Sequence, residues 1–133
     1  GDRDKFIASI ERIFNIFPDL KRLKNLKARN LSGGQQKMLA IACGLIKNPL
    51  LLLLDEPSEG LSPSYVKKVV DVIGKLRDEE GVTILLVEQN FNAVKSVADD
   101  CYIMDKGRIV YESNIEKLLK ESEIIMRYLG ISF

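Results

Sequence analysis

The feature that most constrains this chain is a run of five leucines, Leu50 to Leu54, that ends in Asp55 and Glu56. A short apolar run that stops at carboxylates is typical of a buried parallel strand with its chemistry at the carboxyl end. An acid there can hold a hydrated magnesium ion, and a neighbouring acid can orient or activate water. Two adjacent carboxylates after such a strand would be costly without a partner cation. The run therefore predicts a buried strand that leads into a polar site.

A second motif lies about twenty residues earlier and consists of Leu31, Ser32, Gly33, Gly34 and Gln35. It precedes an apolar helix, predicted from about Gly34 to Ile46, which Ser32 can cap. Glycine lets backbone N–H groups approach a phosphate, and the N-terminus of a helix favours an anion. The motif therefore predicts a loop suited to a phosphate group.

The segments after the leucine run alternate between helix and strand. Ser62 and Pro63 fit the N-cap and first position of a helix, and Gly81 ends the connection that follows it. Residues 82–87 predict a second buried strand, which ends in Glu88-Gln89-Asn90. The alternation predicts an α/β fold with a parallel sheet and right-handed crossovers. Ligands in such sheets bind outside the carboxyl ends of the strands, where both polar clusters fall.

The two ends of the chain predict helices and one hairpin. An apolar stripe along the first helix, which Pro18 ends, is predicted to be core: Phe6, Ile7, Ile10, Ile13, Phe14 and Phe17. Residues 101–104 and 109–111 predict a hairpin with Gly107 in its turn. Ser113 and Glu116 form a capping-box pattern, and a final helix is predicted through residues 124–129.

Composition narrows the classes of function. The chain has 133 residues, which suggests one domain or part of one, and a net charge of +1, which gives no argument for a nucleic-acid partner. It contains no histidine, which removes histidine-based triads and most zinc sites. Cys43 and Cys101 are predicted to be buried thiols. Because no apolar run reaches transmembrane length, we expect a soluble, cytoplasmic protein.

Together these motifs resemble the signature and Walker B motifs of ATP-binding-cassette (ABC) ATPases, and the whole chain resembles the C-terminal half of such a protein. It is most similar to the ATP-binding subunits of branched-chain amino acid importers, the LivF type. These subunits have Val-Glu-Gln-Asn, as at residues 87–90, where most ABC ATPases have a histidine at the position of Gln89. The ending Tyr128-Leu129-Gly130 also resembles this type.

The resemblance implies a fold and a division of the chain. The fold would be the C-terminal portion of a P-loop NTPase (RecA-like) parallel sheet with part of the ABC helical subdomain. Residues 1–30 would end the helical subdomain, and residues 31–133 would form the C-terminal part of the ATPase core.

The resemblance also implies a role for each motif. The signature motif would contact, in trans, the γ-phosphate of ATP held by a second ABC subunit in a head-to-tail dimer. Its residues are Leu31, Ser32, Gly33, Gly34 and Gln35. Asp55 would hold Mg²⁺ through water, Glu56 would polarise the attacking water, and Gln89 would be the switch residue near the γ-phosphate. The D-loop at the dimer interface would comprise Ser58, Glu59, Gly60, Leu61 and Ser62. Ser62 stands where ABC proteins often have aspartate.

The implied function is ATP binding and hydrolysis that powers import of branched-chain amino acids or a related small polar solute. Permease subunits would hold the protein at the cytoplasmic face of the cell membrane. No Gly-x-x-x-x-Gly-Lys-Ser/Thr phosphate loop (Walker A) occurs in the sequence. We therefore expect this chain alone to be inactive and, with sheet edges left exposed, to self-associate.

Two other classes of function fit parts of the sequence. One is the C-terminal head lobe of a chromosome-maintenance (SMC-type) or DNA-repair ABC ATPase, in which a coiled coil separates the two motif halves. Residues 1–30 contain Pro18 and no sustained heptads, which disfavours that class. The other is a nucleotide-independent interaction module, which would not need the acid pair at Asp55 and Glu56.

Overall fold

The computed structural model describes residues 1–131, which form two compact units. The first unit runs from Gly1 to Gln89, and the second begins at Asn90. The boundary expected after residue 30 falls inside the first unit. The assignment of residues 1–30 to a helical subdomain and of residues 31–133 to an ATPase core stays a prediction.

The first unit contains a two-stranded parallel sheet and its helices. In chain order it comprises α1 (Asp2–Ile16), α2 (Pro18–Arg22), a 3₁₀ turn (Ala28–Asn30), α3 (Gly33–Leu45), β1 (Leu51–Asp55), α4 (Pro63–Asp78) and β2 (Thr83–Val87). The strands pair in register from Leu51 opposite Thr83 to Asp55 opposite Val87. The predicted parallel pair is confirmed. Both polar clusters, Asp55-Glu56 and Glu88-Gln89, lie at the carboxyl ends of the two strands.

The core of the first unit is built from helix faces that the apolar spacing predicted. Buried side chains on the helices are Ile13, Ile16, Leu20, Met38, Ile41, Ala42, Leu45, Val69, Ile73 and Leu76. The stripe on α1 is only half correct, because residues 1–8 are all exposed, Phe6 at 59% and Ile7 at 46%. Cys43 is also exposed, contrary to prediction. A helix turns about 100° per residue, so Cys43 lies off the face that carries Met38, Ala42 and Leu45.

The two strands are not buried on both faces, which corrects the sequence prediction. Along β1 the exposure alternates: Leu52 and Leu54 are buried, whereas Leu51 and Leu53 are 52% and 64% exposed. Successive side chains of a strand point to opposite faces. Helix α3 packs against β1 and α4 against β2, and they cover one face of the sheet. The unit thus carries an apolar strand face at its surface.

The second unit is a hairpin packed with short helices: α5 (Phe91–Val94), β3 (Asp100–Asp105), β4 (Arg108–Asn114), α6 (Ile115–Leu118) and α7 (Ser122–Leu129). The predicted hairpin is confirmed, and its turn has positive φ at Lys106 (47°) and Gly107 (76°). Its core comprises Phe91, Cys101, Ile103, Ile115, Leu118 and Ile125.

The predicted capping box of Ser113 and Glu116 is wrong. Strand β4 continues through Ser113, which pairs with Cys101 in the ladder. The N-cap of α6 is Asn114, whose side-chain oxygen accepts the N–H of Lys117 at 2.8 Å.

Among residues 1–131, no helix combines the length and apolar character that crossing a membrane requires.

Candidate functional site

Glu56 is held at the carboxyl end of β1 by contacts with β2 and with the residues that follow it. Its N–H donates to the carbonyl of Val87 at 2.8 Å, which extends the parallel ladder by one residue. Its φ is +46°, a left-handed conformation that is uncommon for a residue other than glycine. Gln89 Nε2 donates to Glu56 Oε1 at 2.7 Å. The structure therefore brings together the two residues predicted to act in hydrolysis, which lie 33 positions apart in the sequence.

A second contact joins the loop after β1 to the end of β2. Glu88 Oε1 accepts the backbone N–H of Ser58 at 2.8 Å, and Ser58 is only 7% exposed. The loop then turns: the N–H of Leu61 donates to the carbonyl of Ser58 at 3.3 Å, and Gly60 has a φ of +71°. Ser62 precedes α4 as its N-cap, as predicted, but its side chain makes no capping hydrogen bond. Ser58, the first residue of the predicted D-loop, is thus bonded to Glu88, the neighbour of the predicted switch residue Gln89.

Asp55 is the last residue of β1, and its side chain is exposed. Within residues 1–131 its carboxylate makes no hydrogen bond or ion pair, so both oxygens are available. Mg²⁺ in phosphate chemistry is commonly bound by one or two carboxylates together with water and substrate phosphates. Asp55 fits that donor set, while the described residues contain no group of three or more ligand-type side chains able to hold a metal unaided.

The residues of the predicted signature motif form a separate cluster at the start of α3. Ser32 Oγ accepts the N–H of Gln35 at 3.3 Å, and Gln35 Oε1 accepts the N–H of Ser32 at 2.9 Å. This reciprocal pair confirms Ser32 as the N-cap. The carbonyl of Leu31 accepts Gln36 Nε2 at 3.2 Å. The hydrogen bonds of this cluster connect residues close in sequence.

The two glycines of the cluster have different surroundings. A Cβ placed on Gly34 would lie 2.4 Å from the ring of Tyr65 in α4. Nothing lies within 4 Å of a Cβ placed on Gly33. Gly34 therefore permits close packing of α3 on α4, and Gly33 leaves the outer surface of the helix N-terminus open.

The sequence reasoning assigned no role to two residues that make long-range contacts. Lys37 Nζ donates to the main-chain carbonyl of Glu56 at 3.1 Å. Arg12 Nε donates to Glu80 Oε2 at 2.6 Å, and its Nη1 bonds Asn48 Oδ1 and the carbonyl of Leu45. One signal was available for Lys37, because it is the only charged residue between Gly33 and Leu45.

Comparison with known proteins identifies the family. A family model described as ABC transporter matches residues 3–59, which include the signature cluster, Asp55, Glu56 and Ser58 but not residues 60–62, Glu88 or Gln89. The chain belongs to the ABC transporter ATP-binding family. It is 41% identical over 129 residues to the Pseudomonas aeruginosa "High-affinity branched-chain amino acid transport ATP-binding protein BraG", an alignment covering 97% of this chain and 55% of that protein.

A second relative and a solved structure are similar to this chain over nearly its whole length. The Archaeoglobus fulgidus "Probable branched-chain amino acid transport ATP-binding protein LivF" is 35% identical over 130 residues, covering 98% of this chain and 55% of that protein. A solved nucleotide-free ATP-binding cassette from an ABC transporter superposes with a TM-score of 0.78 at 28% identity, covering 95% of this chain and 51% of that one. This ABC chain therefore spans about half the length of the relatives it matches, and its P-loop NTPase fold class is confirmed.

Proposed function

We propose that this ABC chain supplies the hydrolytic carboxylate, the switch residue and the signature motif of an ATP-hydrolysing transporter subunit. The observation that carries the proposal is the hydrogen bond of 2.7 Å between Gln89 and Glu56, one residue beyond Asp55. The Glu56 carboxylate and the Gln89 amide thus lie beside the unpaired carboxylate of Asp55, at the carboxyl end of a parallel sheet. Ligands bind at this end of such sheets.

Each side chain in this group has a defined part in the proposal. Glu56 orients and polarises the attacking water, since a carboxylate beside the γ-phosphate can accept a proton as the bond to phosphorus forms. The amide of Gln89 holds Glu56 and can donate to a phosphate oxygen, but unlike histidine it does not gain charge at low pH. Asp55 would hold Mg²⁺ through water. When bound with ATP, Mg²⁺ supplies neutralisation of charge on the phosphates.

The signature cluster is proposed to bind the ATP of a second subunit. Ser32 fixes the helix start, and the open side of Gly33 exposes backbone N–H groups at the N-terminus of α3. Such groups favour a phosphate. In the proposed head-to-tail dimer, Leu31–Gln35 contact the γ-phosphate from one side, and the loop from Ser58 to Ser62 crosses the interface.

The phosphate-binding loop is proposed to come from sequence other than these 133 residues. Phosphoryl transfer relies mainly on positioning and charge stabilisation, which a loop of backbone N–H groups and a lysine provide. This chain alone is therefore expected not to hydrolyse ATP. In the experiments below, this chain is joined to a segment of an ABC protein that carries such a phosphate-binding loop. We call the joined protein the complemented chain.

The proposed transport reaction is import of branched-chain amino acids or a related small polar solute. The names of the relatives BraG and LivF, both branched-chain amino acid transport ATP-binding proteins, support it, as do the residues Glu88-Gln89-Asn90. The proposed partners are transmembrane permease subunits, which would place the protein at the cytoplasmic face of the membrane.

The proposal is tested by titrating Mg-ATP into this chain and into the complemented chain in a calorimeter. We expect no binding to this chain alone, and binding with hydrolysis by the complemented chain. Tight binding by this chain alone would contradict the argument from the phosphate loop. A complemented chain that binds ATP without hydrolysing it would contradict the proposed role of Glu56.

Self-association of the isolated chain is proposed from its exposed strand face. Leu51, Leu53, Leu85 and Val87 are each at least half exposed on the paired strands. Contiguous apolar surface of this kind favours association. Light scattering is expected to show oligomers at moderate concentration, and Leu53→Lys is expected to reduce them. A monodisperse monomer would contradict this proposal without bearing on the ATPase proposal.

A further inference from the structure

Glu56 has three groups whose hydrogen bonds fix the position of its side chain: its N–H, its carboxylate and its main-chain carbonyl. Its φ of +46° lies in a region that costs energy for a residue with a Cβ, so the conformation persists only if the surroundings hold it. Its N–H is bonded to Val87 and its carboxylate to Gln89. Its main-chain carbonyl is the remaining group, and its hydrogen bonds decide how firmly the left-handed turn is held.

That carbonyl accepts two hydrogen bonds. One comes from the N–H of Glu59, at 3.1 Å, and belongs to the local turn. The other comes from Lys37 Nζ, also at 3.1 Å, and bridges 19 residues from α3 to the end of β1. A hydrogen bond from an ionised donor is stronger than one between neutral groups. Lys37 is partly buried, so water competes with this contact less than at an open surface.

The setting of Lys37 argues against a purely solubilising role. It is the only charged residue in α3, and it directly precedes the buried residue Met38, one helical turn before the core side chain Ile41. A lysine placed there must lead its ammonium group out of the core, and in this chain the group ends on the Glu56 carbonyl. The same helix begins at the capping pair of Ser32 and Gln35.

We propose that Lys37 is a positioning residue for the hydrolytic reaction, holding the left-handed turn at Glu56 so that its carboxylate stays aimed beside Gln89. The proposal rests on the proposed function for its catalytic consequence. Lys37 touches no reacting atom. It acts through the backbone of Glu56, and the helix that carries it also carries the signature cluster.

The first test uses the chain as it stands and does not require ATP. Lys37→Met keeps the apolar stem and removes the donor, Lys37→Arg keeps a charged donor, and Lys67→Met is the matched control. Lys67 lies exposed on α4 and makes no hydrogen bond or ion pair within residues 1–131. The readouts are the NMR signals of the Gln89 side-chain amide and the hydrogen exchange of the Glu59 amide.

For Lys37→Met we expect a shifted Gln89 side-chain amide signal and exchange at Glu59 about ten-fold faster, with partial recovery in Lys37→Arg and no change in Lys67→Met. Unchanged signals in folded Lys37→Met would overturn the proposal. If Lys37→Met does not fold, Lys37→Gln, whose side chain is uncharged and one bond shorter, is measured in its place with the same expected outcome.

The second test measures ATP hydrolysis by the complemented chain. Lys37→Met is expected to lower kcat by roughly ten- to a hundred-fold with KM for ATP within about two-fold, because a small displacement of a reacting group has effects of this size. Lys37→Arg should recover much of kcat. An unchanged kcat would overturn the positioning role. If the unsubstituted complemented chain does not hydrolyse ATP, the proposed function fails, and the NMR comparison still decides whether Lys37 holds Glu56.

Discussion

The carboxyl end of the parallel sheet and the amino end of α3 are held together in different ways. At the sheet, the contacts join residues 33, 30 and 19 positions apart: Gln89 with Glu56, Glu88 with Ser58, and Lys37 with Glu56. At α3, Ser32 and Gln35 bond each other across three positions. A local cap can form as soon as its helix forms, whereas the sheet contacts exist only once β1, β2 and α3 are packed. The difference predicts which substitutions act on activity and which on stability.

The largest effect is expected at the sheet. Glu56→Gln in the complemented chain removes the carboxylate but keeps a side chain that can bond Gln89. Hydrolysis should fall by about 10²- to 10⁴-fold, the range usual for loss of a general base, with ATP binding retained. Single-turnover kinetics with a binding titration separate the two effects. Hydrolysis that survives this substitution would assign the chemistry to another group.

The next effect tests how α3 packs on α4. Gly34→Ala would place a methyl group 2.4 Å from the Tyr65 ring, and we expect a loss of about 1–3 kcal/mol in the free energy of unfolding, as in other overpacked sites. Gly33→Ala is the matched control, since its Cβ meets nothing within 4 Å. It should be neutral or stabilising by up to about 1 kcal/mol. Denaturant titration of both variants checks the pair, and equal losses would contradict the packing account.

A smaller effect isolates the local cap. Ser32→Ala removes the acceptor for the Gln35 N–H and is expected to cost about 1 kcal/mol of folding free energy. Ser62→Ala provides the comparison, because Ser62 is also an N-cap but makes no capping hydrogen bond with its side chain. Thermal melts should show a clear drop for Ser32→Ala and little change for Ser62→Ala. A larger drop at Ser62 would show that its contact with the Ser64 hydroxyl, at 3.1 Å between the two oxygens, stabilises the helix start more than the Ser32 cap does.

The smallest effect concerns a contact that is long-range but exposed. The Lys68 ammonium bonds the Asp19 carboxylate at 2.7 Å, and this hydrogen bond, followed by the charge of the same lysine, lowers the pKa of Asp19 below its ordinary value of 3.8. A carboxyl group with a lowered pKa in the folded state stabilises the fold above its unfolded pKa. That contribution is lost as the pH falls through the folded pKa.

We therefore expect the unsubstituted chain to lose stability relative to Asp19→Asn only below about pH 4, and by a small amount because exposed ion pairs contribute little. Denaturation at a series of pH values from about 7 down to about 2 measures this difference. A difference between the two chains that persists unchanged across the series would contradict the ion-pair explanation.

Much of the fold could be predicted from the sequence, because it depends on local chemistry. The N-cap at Ser32, the helix start at Ser62-Pro63, the turn at Gly107 and the strand that ends at Asp55 follow from residue type and spacing alone. The motifs also indicated the ABC family, which comparison with known proteins confirmed. The error at Ser113 arose where a neighbouring element decides the outcome, because Ser113 pairs with Cys101 in a strand and is not a cap. The error at Cys43 had a local cause, since the spacing along α3 already placed Cys43 off the buried face of that helix.

Some features of the candidate site also follow from the sequence, and others depend on the tertiary structure. The sequence by itself determined which residues carry carboxylates, amides and glycines, and that Asp55 and Gln89 would lie at the same end of the sheet. Only the tertiary structure decided that Gln89 bonds Glu56, that Lys37 reaches the Glu56 carbonyl and that one face of β1 remains exposed. The physical reason is that a strand's side-chain alternation is fixed by its own backbone, but what covers each face, and which donor meets which carbonyl, depends on elements that are far apart in the sequence.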